Sequence, residues 1–170
     1  MATITRLKSL AGVRIPDTPL AKAAVDLLEV TSPQFICNHC VQLCSDLCFR
    51  KTRRQKHWPL DYRRGNCLFA GPFCTTLGSF PPMPAENRFE VDGADAAREF
   101  CLKHQVAPER AERVWEAIAL HTSAGIASRM ATEIVLVHLG AALDFLGLGI
   151  DQIPPQLLEE ILTSYLPARG

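Results

Sequence analysis

The stretch PERAERVWEAIALHT, residues 108–122, decides the fold class. It opens with a proline, which is favoured at the first position of a helix because the N–H that proline lacks has no partner there. Its apolar residues recur at helical spacing, so one face is predicted to be buried against the rest of the protein. The buried stripe consists of Ala111, Val114, Trp115, Ile118 and Ala119. The pattern predicts an amphipathic helix with His121 at its end, on the apolar side.

Helical patterns also precede this stretch. Thr18 and Pro19 come directly before LAKAAVDLLEV, whose apolar residues have helical spacing behind a typical helix start. A second helix is predicted to begin near Ser32. Asp92 is predicted to cap a later helix, because aspartate is a favoured residue before the first helical turn. The face of that helix predicted to be buried contains Ala96, Ala97, Phe100 and Cys101.

Two more helices are predicted after residue 122. ATEIVLVHLGAALDFLG, residues 131–147, is apolar on nearly every face, and Pro154 and Pro155 open a short last helix. Because no stretch shows sustained two-residue alternation of apolar and polar residues, the sequence predicts an all-α protein, a helical bundle. Residues 1–17 are predicted to be a flexible leader, and residues 18–165 a single helical domain.

Residues 45–85 interrupt this pattern. RKTRRQKHWPLDYRR, residues 50–64, is strongly basic, and the segment that follows mixes apolar residues with glycine and proline without any period. Structureless loops longer than about 15 residues are uncommon inside compact domains. The bundle is therefore predicted to be incomplete, with an irregular middle segment. Residues 50–64 contain seven basic residues, which could neutralise phosphates, and two aromatic residues, Trp58 and Tyr62, which could stack on bases. Nucleic-acid binding therefore stays open as an alternative.

Composition restricts the class of protein. The 170 residues carry no formal net charge and are 48% hydrophobic, which disfavours nucleic acid as a partner and is typical of one globular domain. No run approaches the roughly 20 apolar residues that span a bilayer. The start lacks a secretory apolar stretch, so a cytoplasmic location is expected, although its basic character leaves a mitochondrial transit peptide as an alternative. The pattern is compatible with a homo-oligomer.

Four of the seven cysteines fall in PQFICNHCVQLCSDLCF, residues 33–49. An odd number of cysteines without an export signal indicates reduced thiols. The four cysteines, Cys37, Cys40, Cys44 and Cys48, have spacings that suit one helix face better than the paired units of a zinc knuckle. A structural zinc site remains the alternative interpretation.

Three polar residues stand out in the apolar C-terminal half. Asp144 lies in a helix with almost no polar side, where an ionised group would need a partner or a metal ion. His138 precedes it by six residues, about 120° away around the helix axis. His121 follows an apolar run. We predict a functional role for Asp144. For His138 a hydrogen-bonded core histidine is the favoured interpretation, and a position at the same pocket is the alternative.

Four blocks of the sequence resemble HD-domain proteins, specifically the cyanamide hydratase-like branch. The blocks are LAKAAVDLLEVTSPQFICNHC, RFEVDGADAAREF, WEAIALHTSAGIA and VHLGAALDFLGLGIDQIP, and the similarity spans residues 18–44 and 86–165. The resemblance implies a helical bundle that holds a divalent metal, zinc or iron, and acts on a small-molecule substrate. It also implies that His39 and Asp144 are metal ligands and that His121 is a catalytic residue in the pocket.

The family's activity follows from a metal-bound water whose pKa is lowered so that hydroxide is available near neutral pH. Such a water can add to a nitrile, as in the hydration of cyanamide, or hydrolyse a phosphoester. The resemblance therefore implies a hydratase, with an HD-type phosphohydrolase as the alternative. A non-catalytic helical protein that keeps the fold is a third interpretation.

The consecutive His-Asp pair that completes the family's metal site is missing from this chain. The segment expected to hold it, Phe73 to Ser79, is FCTTLGS. Its codons, read in a neighbouring frame, permit Leu-His-Asp-Leu-Gly-Leu, so part of residues 44–85 is predicted to be translated out of frame. His39 and Asp144 alone would bind a catalytic metal weakly, since such sites generally have three or more protein ligands. Little or no activity is expected from the chain as written.

Overall fold

The computed structural model describes residues 9–10, 13–14, 17–31 and 88–165. Over these residues the chain forms six α-helices: α1 (Pro19–Thr31), α2 (Phe89–Lys103), α3 (Pro108–Ala119), α4 (Ala124–Ala127), α5 (Thr132–Leu146) and α6 (Pro155–Tyr165). A 3₁₀ turn at Ile150–Gln152 precedes α6. The helical content confirms the all-α class. The helix predicted from Ser32, the cysteines of residues 33–49 and the irregular segment 45–85 lie outside the described residues.

One short strand pair lies within the predicted leader. Strand β1 (Ser9–Leu10) pairs with strand β2 (Val13–Arg14) in antiparallel register, with Ser9 opposite Arg14 and Leu10 opposite Val13. Each strand has only two residues, so the pair does not alter the fold class.

Helix α1 begins where its sequence predicts. The Thr18 hydroxyl oxygen accepts a hydrogen bond from the Ala21 backbone N–H at 3.2 Å, which satisfies one of the donors that a helix start leaves without an intrahelical partner. Pro19 occupies the first helical position. The buried residues of α1 share one face and consist of Ala21, Ala24, Val25 and Leu28.

Helix α2 begins four residues earlier than the sequence predicts. Its first residue is Phe89, and the prediction that Asp92 caps it is wrong, because Asp92 lies inside the first turn. The Arg88 carbonyl accepts hydrogen bonds from the backbone N–H groups of Val91 and Asp92 at 2.9 and 3.2 Å. Tertiary contacts of Phe89 and Glu90, described below, hold this first turn against the rest of the protein.

The largest hydrophobic cluster joins the first three helices. From α2 it takes Ala94, Ala97, Phe100 and Cys101, from α3 Ala111, Val114 and Ile118, and from α1 the four buried residues named above. Trp115 and Ala119, predicted to be buried, are partly exposed at its edge. Small alanines at the crossing of α2 and α3 allow the two helices to pack closely.

Two smaller clusters extend the core toward the C-terminus. The first joins α3, α4 and α5 through Ala117, Ala127, Ile134, Leu136 and Val137. The second joins the end of α5 to the 3₁₀ turn and α6 through Leu143, Ile153, Leu157 and Leu158. Helix α5 is therefore the element that links both clusters.

The end of α5 is apolar but exposed. Although the helix is apolar on nearly every face, Phe145 is 74% exposed and Leu146 is 70% exposed. Among the described residues, no helix is both long enough and apolar enough to cross a membrane.

Gly147 ends α5 in the left-handed conformation, with φ of 63°. Its N–H donates to the Leu143 carbonyl at 2.8 Å, the bond of a left-handed C-cap, and the Leu148 N–H donates to the Ala142 carbonyl at 3.2 Å. An added Cβ would meet no atom within 4 Å, so only the backbone conformation disfavours a side chain there.

Replacing this glycine isolates that conformational cost. Gly147→Ala is expected to lower the free energy of unfolding by about 1–2 kcal/mol, because a left-handed φ is unfavourable for alanine. Gly125→Ala in α4 is the matched control: it too has open space at Cβ, its φ is not positive, and it is expected to be neutral or to stabilise by about 0.5 kcal/mol. Urea denaturation of both variants provides the measurement, and equal effects would contradict the account.

Candidate functional site

The polar residues of the described core meet at the turn that follows α3. The sequence predicts that His121 lies at the end of this helix, but α3 ends at Ala119, and His121 lies in the turn that leads to Ser123. The Leu120 N–H still donates to the Glu116 carbonyl at 3.1 Å, and the Ser123 N–H donates to the Leu120 carbonyl at 2.9 Å. These bonds form a tight turn that places the His121 ring beside the start of α2.

The His121 ring is half-buried and anchored to the end of α3. Its Nδ1 lies 2.6 Å from the Ile118 carbonyl oxygen, which also accepts the His121 backbone N–H at 3.3 Å. Because a carbonyl oxygen can only accept, Nδ1 is the nitrogen that carries the hydrogen. In the neutral ring the lone pair is then on Nε2, the form that accepts a proton or binds a metal.

His138 is bound to the same turn from α5. Its Nδ1 lies 2.7 Å from the His121 carbonyl oxygen, and the side chain is half-buried. By the same argument Nδ1 donates, and the lone pair of the neutral ring is on Nε2. Histidines that act as metal ligands commonly donate their other ring N–H to a backbone carbonyl in this way. A hydrogen-bonded core histidine, the interpretation that the sequence favours for His138, makes the same contact.

Glu90 approaches the turn from α2 and is the buried charged residue of the described core. The residue is 2% exposed, and its Oε1 accepts hydrogen bonds from Arg88 Nη2 and from the Thr122 hydroxyl, both at 2.6 Å. Its Oε2 accepts from Arg88 Nε at 3.2 Å. Glu90 is thus fully engaged, and it ties the first turn of α2 to the residue after His121.

These hydrogen bonds hold the pKa of Glu90 well below its usual range, at about 2. The bond from Arg88 lowers this pKa most, burial opposes it by disfavouring the charged form, and the bond from Thr122 lowers it further. The Arg88 guanidinium, with 73% of its side chain exposed, has its pKa raised by the same contact. Glu90 is therefore ionised at neutral pH despite its burial.

Phe89 makes a second contact between α2 and the turn. Its ring meets the His121 ring edge to face, with centroids 6.1 Å apart and planes inclined at 73°. Such arrangements are favourable for pairs of π-systems. Two consecutive residues of α2, Phe89 and Glu90, thus contact the two consecutive residues His121 and Thr122.

The structure brings together two of the four predicted site residues, His121 and His138. His39 lies outside the described residues, as do His57 and the basic segment 50–64. Asp144 lies on α5, about 9 Å along the axis from His138 by the helical rise, but its side chain lies outside the described part of the structure. The predicted pairing of His39 with Asp144 therefore remains a prediction.

The implied metal finds no complete set of ligands in the described part of the chain. Within residues 9–10, 13–14, 17–31 and 88–165, no three His, Cys, Asp or Glu side chains are placed to hold a metal ion. His121 and His138 supply at most two nitrogen donors, fewer than the three or more that catalytic metals generally have. The described residues alone do not fit such a group.

Glu90, Arg88 and Thr122 are absent from the residues that the sequence singled out. A signal for Glu90 exists in the spacing: positions 90, 93, 94, 97 and 101 are all buried and recur at helical intervals along α2. A carboxylate on such a stripe is as informative as Asp144 in α5, since a buried charge needs partners. The partners themselves could not be found, because Thr122 is 32 residues away.

Comparisons with known proteins leave the family open. The chain matches no protein-family model, and no curated protein is significantly similar to it.

Proposed function

We propose that this chain has the fold of a cyanamide hydratase-like HD-domain protein and that its catalytic centre is left incomplete by the loss of the His-Asp pair. The observation that supports the proposal is the convergence of three sequence blocks on one turn. Block RFEVDG reaches it through Phe89 and Glu90, block IALHTS contains the turn itself, and block VHLGAALDFLG reaches it through His138. Three of the four blocks that carry the resemblance therefore meet at this turn.

The chemistry open to the described residues is proton transfer. His121 and His138 each donate from Nδ1 to a backbone carbonyl, which leaves Nε2 of the neutral ring as the basic nitrogen. A general base held in one tautomer suits the activation of water for addition to a nitrile. In the proposed complete site, His39, Asp144 and the restored pair would hold the divalent metal, whose contribution is to lower the pKa of water.

Restoring the reading frame across residues 44–85 tests the proposal. The restored protein is expected to be purified with about one zinc or iron per chain and to form urea from cyanamide, whereas the chain as written is expected to do neither. The metal content is measured by mass spectrometry of the purified proteins, and urea by a coupled assay. Hydrolysis of a phosphomonoester, measured in parallel, distinguishes the phosphohydrolase alternative.

A matched control separates recovery of the site from recovery of folding. Asp144→Asn in the restored protein removes one proposed ligand with little change in volume and is expected to lower metal content and turnover at least tenfold without unfolding the helices. If the restored protein folds but has neither metal nor turnover, the proposed function is wrong. The coding DNA of the segment checks the frame directly.

A further inference from the structure

The contact between α2 and the turn after α3 is built residue by residue. Phe89 packs on the His121 ring, and Glu90 accepts a hydrogen bond from Thr122 at 2.6 Å. The turn is held on its other side by His138, whose Nδ1 donates to the His121 carbonyl. The backbone of residues 121 and 122 is therefore held from both α2 and α5.

Of the two contacts between α2 and the turn, the hydrogen bond between Glu90 and Thr122 has the larger driving force. A carboxylate that is 2% exposed has lost its hydration, and hydrogen bonds must replace that hydration for the residue to stay charged. Arg88, two residues earlier in the sequence, supplies two of these bonds, and Thr122 supplies the long-range one. Bonds to a charged acceptor are about twice as strong as neutral ones, so the Thr122 hydroxyl is held firmly.

The conformation of this turn decides the state of the His121 ring. Its Nδ1 reaches the Ile118 carbonyl oxygen at 2.6 Å only because the backbone of residue 121 folds back over the last turn of α3. A relaxed turn would lengthen this bond, and the Nδ1–H tautomer would no longer be stabilised by it. The placement of residue 122 is therefore coupled to the tautomer of residue 121.

We propose that Glu90 is a positioning residue that acts through the Thr122 hydroxyl to hold the His121 imidazole in its Nδ1–H tautomer, with Nε2 as the basic nitrogen. The inference deepens the proposed function, on which it depends only for the use that is made of this imidazole. The tautomer itself is a property of the folded chain and can be measured without metal, substrate or turnover.

The test is a long-range proton–nitrogen correlation spectrum of the histidine rings in the full chain, recorded well above the ordinary imidazole pKa of about 6.5. Glu90→Leu removes the acceptor and fills the buried position with an apolar side chain. Thr122→Val removes the donor with little change of shape. Each is expected to shift the His121 tautomer ratio toward Nε2–H by roughly three- to tenfold, the worth of one hydrogen bond.

Three controls make the outcome specific. Thr122→Ser keeps the hydroxyl and is expected to retain the wild-type spectrum, which a role in packing alone would not require. His104 directly follows the far end of α2, and its Nδ1 lies 2.9 Å from the Phe100 carbonyl oxygen. The tautomer ratio of His104 is expected to stay unchanged in every variant. The double variant of Glu90→Leu and Thr122→Val is expected to show no larger shift than either single change, because both remove the same interaction.

The inference is overturned if Thr122→Val leaves the His121 nitrogens unchanged, or if His104 shifts as much as His121. Should Glu90→Leu fail to fold, the comparison of Thr122→Val with Thr122→Ser decides alone. A failed metal and turnover experiment with a normal tautomer result would count against the proposed function only, and the reverse result would count only against the role of Glu90.

Discussion

Ile118→Ala is expected to lower the free energy of unfolding by about 2–5 kcal/mol, a large part of the 5–15 kcal/mol typical of a domain. Ile118 is fully buried, with 0% exposure, in the cluster that joins α1, α2 and α3. Truncation removes three carbon atoms and leaves a cavity that packed helices close only in part. Urea denaturation followed by circular dichroism at 222 nm measures the loss.

Ile126→Ala is the matched control for this substitution. It makes the same chemical change on α4, where the isoleucine is 56% exposed, and is expected to cost less than about 1 kcal/mol. If the two variants lost equal stability, Ile118 would not occupy the centre of the core.

Acid is expected to destabilise the protein through Glu90. Because the pKa of Glu90 is lowered in the folded state, the unfolded chain binds more protons as the pH falls, and stability decreases in that direction. The loss begins near the ordinary carboxyl pKa of about 4 to 5 and is complete only below the folded value of about 2. Since Arg88 is 73% exposed and screened by water, we expect a loss of about 1–2 kcal/mol.

Glu90→Gln removes the titrating group and tests this assignment. The variant is expected to be less stable than the parent at pH 7 and to lose less further stability between about pH 5 and pH 2. Glu99→Gln, which changes a side chain that is 69% exposed in a surface pair with Lys103, is expected to leave the acid limb unchanged. Urea midpoints measured across this range provide the comparison, and parallel curves for parent and Glu90→Gln would refute it.

Local pattern was sufficient for most of the described helices. The Thr18-Pro19 start, Pro108 and the Pro154-Pro155 pair each predict a helix start that the structure confirms, because capping and proline geometry depend on neighbours in the chain. Spacing predicts three of the four buried residues of α3, Ala111, Val114 and Ile118, but it misses Ala117. It also places Trp115 and Ala119 in the core, although both are partly exposed. The all-α class was likewise predicted from periodicity and is confirmed.

Contacts distant in sequence decided the remaining features. Helix α2 begins at Phe89 rather than after Asp92, and His121 lies beyond the end of α3. In both cases residues far apart in the chain, Phe89 with His121 and Glu90 with Thr122, stabilise a backbone conformation that local propensity does not favour over its alternatives. Helical periodicity compares only residues that are close in sequence, so it cannot predict such contacts.

By itself the sequence determined which faces of the helices are apolar and where three of the helices begin, since both depend on residues within a turn or two of one another. Only the tertiary structure decided that Glu90, Thr122, His121 and His138 meet at one turn, because a buried carboxylate and a histidine tautomer depend on partners brought together by the packing of α2, α3 and α5.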